Sequence, residues 1–349
     1  MKKKFLLFVL VTTCTFVLIA CGQEKSDPEE ATPSSEETAS TQNQPDANRT
    51  SYPFEIEIFD EEGNAYTQVF EKAPERVVTN NLSSTEMLLE LGLEEKIVGI
   101  LNPDNKVRGK FAETIAGLNN LGDKMEVSRE IIVGQEPDIA VGRSLMFTDE
   151  YMGSIATLNE LGINVYPQTA SHIIQNPKLT SVIEDVRNLG TIFDVNDRAE
   201  AYATQLEARL NEVVEKVNAK KADQKLTALA MVRFDANTGT YMAFNVSQGL
   251  QRDLLTTLNL EPAVEGSGDN SNLETLISTN PDVIIYIKAD RNAEYDATAI
   301  DALFAEPLIK DVSAIKEGRV FETTYDDFMD YGPRIFDTLE MLGNKLYGE

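Results

Sequence analysis

Tryptophan is absent from the 349 residues, histidine occurs once, and cysteine occurs twice. A single histidine excludes sites built from several imidazoles, including the paired-histidine helix of zinc proteases, and leaves a zinc or manganese receptor poorly equipped. Cys14 and Cys21 both fall within the first 21 residues, so the remainder has neither an internal disulfide nor a cysteine metal cluster. Basic residues are scarce as well: 31 Lys and Arg stand against 58 Asp and Glu, a net charge of −27. That argues against a nucleic-acid binder, which needs clustered cations for phosphate contacts. No GxSxG, P-loop or nucleophile–histidine arrangement occurs, so the chain does not read as an enzyme. What is present is ordinary globular composition, 42% hydrophobic and 26% charged, in a length that suits two domains of about 100–200 residues.

The first 20 residues read as a targeting segment. Lys2, Lys3 and Lys4 form a basic start, and Phe5 to Ala20 is an apolar run too short for a lasting membrane span. It ends in Leu18-Ile19-Ala20-Cys21-Gly22, which resembles the lipobox of bacterial lipoproteins. The resemblance implies that Cys21 is diacylated, palmitate included, and becomes the mature N-terminus; two acyl chains give stable anchoring where one is marginal. Residues 21–53 are polar and poor in large apolar side chains, and are expected to be a disordered tether.

The body begins with a hairpin pattern, Phe54 to Phe59 and Tyr66 to Phe70, joined through Asp60-Glu61-Glu62-Gly63-Asn64. Short β-branched strands are then expected at Arg76 to Thr79, Lys96 to Ile100, Asp138 to Gly142 and Ile163 to Tyr166, with helices between them. Ser83 and Glu86 have capping-box spacing at the start of one such helix. This alternation predicts a mainly parallel, helix-covered sheet. A long amphipathic helix follows, with apolar residues at Ala199, Tyr202, Leu206, Leu210, Val213 and Val217. About 25 residues would extend roughly 38 Å, which suggests a strut between two lobes. Strands resume at Leu226 to Val232, Tyr241 to Phe244, Asp282 to Ile287 and Arg319 to Glu322. The expected organisation is an N-terminal lobe over 54–192, a connecting helix over 193–221 and a C-terminal lobe over 222–349. Glu130 and Glu274 each precede a Pro-Asp by seven residues and open a helix that leads to a strand, so the halves share a unit.

A lipobox, a polar tether, Pro74-Glu75-Arg76-Val77-Val78 and two Glu-x6-Pro-Asp units in this order resemble the helical-backbone (class III) substrate-binding proteins of bacterial ABC importers, whose ligands include ferric siderophores, haem and vitamin B12. The likeness covers about residues 54–347. It implies an α/β fold of two Rossmann-like lobes joined by a long rigid helix, with the ligand cleft between them. It also implies permease subunits and their ATPase as partners, with Glu130 and Glu274 as the docking carboxylates. The expected function is a lipid-anchored, extracytoplasmic receptor for a ferric siderophore, with no cofactor of its own. Haem or vitamin B12 is the alternative ligand, and a surface adhesion or assembly lipoprotein the alternative of another class.

Ligands of open α/β sheets bind beyond the carboxyl ends of the strands. Oxygen-rich, often anionic ferric complexes call for guanidinium groups and aromatic rings with a polar tip. Arg143 follows the strand that ends at Gly142, and its Gly-Arg resembles the Gly-Arg-Gln of some catecholate-siderophore receptors, with Ser144 in place of Gln. Tyr325 and Tyr331 lie near the final strand, Arg233 and Tyr241 belong to strands of the second half, and His172 sits in a loop after Tyr166. Direct ligation of iron or haem would fall to His172, or for haem to a tyrosine of the set.

Overall fold

In the computed structural model, which describes residues 48–266 and 268–348, the chain enters through an antiparallel hairpin of Phe54–Phe59 (β1) and Ala65–Phe70 (β2). The expected leader, Cys21 and the tether up to residue 47 lie outside the described residues. Residues 48–53, read above as tether, are held against the body instead. The Thr50 amide donates to Asp194 at 2.8 Å, its hydroxyl donates to the Thr191 carbonyl at 2.8 Å, and the Tyr52 hydroxyl donates to the Ile192 carbonyl at 2.7 Å. Those carbonyls end the helix Leu179–Ile192 and have no partner within it. A helix terminus thus orders a segment whose composition alone reads as disordered.

The first sheet has four parallel strands, Val77–Thr79 (β3), Ile97–Ile100 (β4), Ile139–Gly142 (β5) and Asn164–Pro167 (β6), in the order β4-β3-β5-β6. Every residue of β3 and β5 is buried, as expected of short strands covered on both faces. The helix Leu82–Glu90 is capped by Asn81, not Ser83: the Asn81 side chain accepts from the Ser84 amide, while the Ser83 hydroxyl donates to the Asp330 carbonyl at 2.7 Å.

The amphipathic pattern forms a 25-residue helix, Asn196–Lys220, burying Ala199, Ala203, Leu206, Val213 and Val217 against the helices Leu179–Ile192 and Ile335–Tyr347. Beyond it lies a six-stranded sheet of Leu226–Asp235 (β7), Thr240–Ala243 (β8), Leu260–Pro262 (β9), Gly268–Asn272 (β10), Val283–Lys288 (β11) and Val320–Thr324 (β12). β9, β11 and β12 run parallel to the ladder with β7, whereas β8 and β10 are antiparallel additions. β10 reads Gly-Asp-Asn-Ser-Asn, with no apolar alternation, and is a strand only by pairing at the edge.

Residue parity divides the cores. Ala228, Ala230 and Val232 of β7 and Val283, Ile285 and Ile287 of β11 join the core that also fills the first half. Leu229, Met231, Ile284 and Tyr286 point the other way into a second core, with Tyr241 of β8. Glu130 and Glu274 occupy the second positions of the helices Arg129–Val133 and Leu273–Thr279, which precede β5 and β11.

Candidate ligand-binding site

β5 ends at Gly142, where the backbone passes so close to Asn80 that an added Cβ would lie 2.0 Å from its side-chain oxygen. The approach lets Asn80 grip the next residue from both sides: its Oδ1 accepts the Arg143 amide at 2.7 Å and its Nδ2 donates to the Arg143 carbonyl at 3.2 Å. The guanidinium so positioned lies 5.1 Å over the Tyr331 ring and hydrogen-bonds the Tyr325 side chain. Burial pulls its pKa down, but Tyr331, Tyr325 and Asp330 outweigh that and leave it raised, so Arg143 is a partly buried permanent cation.

Tyr325 links Arg143 to a cavity of about 360 Å³ lined by Val232, Arg233, Met242, Phe244, Arg291, Asn292, Tyr295 and Tyr325. Its ring carries Arg291 at 4.7 Å and meets Phe244 edge-on at 6.1 Å. Arg233 sits where β7 and β8 slip register between Val232 and Asp235, with φ +54°. A bulge of this kind re-aims a side chain. Here it sets the guanidinium 5.2 Å from the Tyr295 ring, with an N–H donated to the Met242 sulfur at 3.7 Å. Arg291 is paired with Asp104. Neither Arg143 nor Arg233 has a carboxylate partner among the described residues; each rests on an aromatic ring instead.

Buried acids underlie these cations. Asp330 accepts the Ser83 amide at 2.6 Å, and Gly332 approaches so near that a Cβ there would lie 2.0 Å from Ser83 Cβ. Burial raises Asp330 well above the usual carboxylate range, against the pull of Lys124, and raises Asp326 in the same way. Asp326 accepts the amides of Asp104 at 3.1 Å and Asn105 at 2.8 Å, while Asp290 accepts that of Lys106 at 2.7 Å. Three consecutive amides that follow β4 are therefore held by carboxylates that follow β11 and β12.

A cavity of about 470 Å³ elsewhere, between Glu86, Arg108, Arg209 and Arg334, offers less to a charged ligand. Its cations are already paired, Arg334 with Glu86 at 2.6 Å, Arg108 with Asp327 at 2.8 Å and Arg209 with Asp337 at 2.5 Å.

The structure thus brings together Arg143, Tyr325, Tyr331 and Arg233 from the expected set. It does not bring Tyr241 or His172 to them. Tyr241 is 2% exposed in the second core, because Met242 of β8 and Phe244 just past its end have the parity that faces the cavity. His172 is 4% exposed beneath the hairpin, edge-on to Phe59 at 6.4 Å and hydrogen-bonded to the backbone of Asp60. It is a packing group here; burial drives its pKa down to about 4, and its Nε2 has no partner. Glu130 and Glu274 are exposed, and Cys21 lies outside the described residues. Phe244, Tyr295 and Lys124 were not foreseen, and Arg291 was expected only as part of the strand end Lys288 to Arg291. Arg291 had a signal, since it lies three residues past β11 at a strand's carboxyl end; Lys124 comes from a turn, where it pairs with Asp104. Among the described residues no group of three or more His, Cys, Asp or Glu converges as a metal site, and no helix is long and apolar enough to cross a membrane.

Comparison with known proteins bears on the family and the fold. An uncharacterized ABC transporter substrate-binding lipoprotein of Bacillus subtilis is 21% identical over 79% of this chain and 81% of its own length. A cobalamin-binding protein of Halobacterium salinarum is 20% identical over 78% and 70%, and an iron-uptake system-binding protein of Bacillus subtilis is 27% identical over 64% and 68%. The crystal structure of a periplasmic binding protein from Veillonella parvula superposes with a TM-score of 0.71 at 20% identity, covering 86% of this chain and 93% of that one, a likeness of fold. The family model for periplasmic binding protein matches residues 77–326, which hold β3 through β12, Arg143 and Tyr325, and the chain belongs to that family.

Proposed function

We propose that the protein is the lipid-anchored, extracytoplasmic receptor of an ABC importer and that its ligand is an anionic ferric siderophore. In this reading the two sheets are two lobes, the helix Asn196–Lys220 is the rigid connection, and the ligand lies where Arg143 meets the Tyr325 cavity. One observation carries the ligand class: in a chain of net charge −27, Arg233 and Arg291 line one aromatic cavity to which Tyr325 joins Arg143, and neither Arg143 nor Arg233 has a carboxylate partner among the described residues. Left unpaired amid such a surplus of acids, Arg143 and Arg233 are available to an incoming anion. Guanidinium forks and tyrosine rings suit flat, oxygen-rich chelates. The relatives named for iron uptake, cobalamin binding and ABC transport support the class of function.

The chain's lack of tryptophan makes its 11 tyrosines the fluorescent reporter, and Tyr325 and Tyr331 would sit beside the ligand. The test is a titration of the full chain with ferric catecholates, ferric hydroxamates, haem and cobalamin. Saturable quenching by an anionic ferric chelate is expected. Binding of haem or cobalamin alone would replace the ligand class, and a folded protein that binds none would favour an adhesion or assembly lipoprotein.

A further inference from the structure

Arg291 lines the cavity from the second half, but the carboxylate that holds it, Asp104, follows β4 in the first. The Asp104 side chain is only 5% exposed and pairs with Lys124 of its own half as well. Arg233, the other guanidinium of the lining, has no carboxylate partner among the described residues. The pairing of Arg291 is one-sided. Its Nη1 donates to Asp104 Oδ1, while its Nε and Nη2 have no partner among the described residues. Nε and Nη2 share one edge of the guanidinium, the edge that can give an oxyanion two parallel hydrogen bonds. The Tyr325 ring, 4.7 Å from the guanidinium carbon, supports its face.

The backbone fixes Asp104 against the segments that supply these two residues. Its amide donates to Asp326 at 3.1 Å, and its carbonyl accepts the Asp290 amide at 3.2 Å. The Asn105 side chain adds a hydrogen bond to the Lys288 carbonyl at 3.3 Å. A bridge that served only to tie the halves would gain little here, because the Arg291 side chain is 55% exposed and solvent weakens such pairs. Lys124 is the reserve. Burial opposes its charge, but Asp330 and Asp104 outweigh that and keep its pKa raised. Asp104 therefore keeps a counter-cation when an incoming anion draws on Arg291.

We propose that Asp104 is a positioning residue for the ligand: from the opposite half it holds Arg291 with one edge free for an anion in the cavity, so that this contact is complete only while the halves are together. The inference rests on the receptor reading above and adds to it a residue outside the cavity lining. An arginine already held by one edge and one face loses less freedom when an anion arrives, which is preorganisation. Ligand and joined halves then favour each other, since each stabilises the arrangement the other needs.

The test is a double-mutant cycle read by tyrosine quenching of the full chain, with Asp104→Asn, Arg291→Gln and the two combined. The probes are a ferric tris-catecholate and haem, whose propionates are also anionic. Asp104→Asn keeps the shape of the side chain and should weaken the bound probe at least fivefold. In the Arg291→Gln background the same change should cost less than twofold. A merely structural role would cost as much with Arg291 as without it, and that result would overturn the proposal. Arg291→Lys supplies a second test should Asp104→Asn not fold, because it keeps a cation for Asp104 but has no second edge. A fivefold loss is expected for it too, and parental affinity would overturn the proposal. If haem alone binds, the ferric-siderophore reading falls and the cycle still decides the role of Asp104. If a probe binds and the cycle shows no coupling, positioning falls alone; if neither probe binds, both readings fall.

Discussion

Arg143 owes its place to an asparagine and its availability to a tyrosine. Asn80 fixes its backbone, Tyr331 supports its guanidinium, and no carboxylate claims it. Arg143→Ala should weaken an anionic ferric ligand by roughly 1.5–3 kcal/mol, about tenfold to 150-fold, in the tyrosine-quenching titration. Arg143→Lys should recover only part, because an ammonium lacks the planar fork; an unchanged titration for the alanine variant would place Arg143 outside the site. His172 makes a different prediction. Its folded pKa lies at about 4 against an ordinary 6.5, so between these values only the unfolded chain takes up the proton. Its contribution is complete above pH 6.5 and is lost as pH falls toward 4, up to about 3 kcal/mol. Asp185, Asp326 and Asp330, raised by burial, act in the opposite sense. The informative quantity is therefore the difference in slope of urea-midpoint against pH between the parent and His172→Phe, and identical slopes would refute the assignment. Arginine at a strand's carboxyl end was legible in the sequence because strand ends were. The burial of His172 was not, since it depends on a hairpin more than 100 residues earlier folding over it.

At the level of elements, the strands and the long helix were legible because short β-branched runs and a 3.6-residue period leave few readings. Cavity-facing parity was not. Tyr241, Met242, Ala243 and Phe244 alternate plainly, but which pair faces the cavity depends on the slip in register at Arg233. Close approaches were equally hidden. A glycine after a strand looks ordinary until Asn80 is seen against it. Gly142→Ala should displace Asn80, loosen both hydrogen bonds to Arg143 and cost roughly 1–3 kcal/mol, read as a lower urea midpoint with an unchanged slope. Ligand affinity should fall with it. Gly117→Ala, where an added Cβ meets nothing within 4 Å, should leave both unchanged, and equal behaviour of the two variants would remove the close-approach argument.

For the whole molecule, the shared unit read from Glu130 and Glu274 folds alike in both halves, as a short helix leading to a central strand. On the receptor reading, Glu130→Ala and Glu274→Ala each reduce uptake and the double change nearly abolishes it, with chelate affinity within about twofold. Normal uptake by the double variant, with normal protein at the surface, would refute the docking role. The halves also meet at the amides of Asp104, Asn105 and Lys106, held by Asp326 and Asp290. An amide held in this way trades its hydrogen for deuterium only while its acceptor is away. If the halves are lobes that part, as the receptor reading proposes, these three protons would be a clock for that parting, readable without any ligand. A chelate that bridges the halves would slow all three by one common factor.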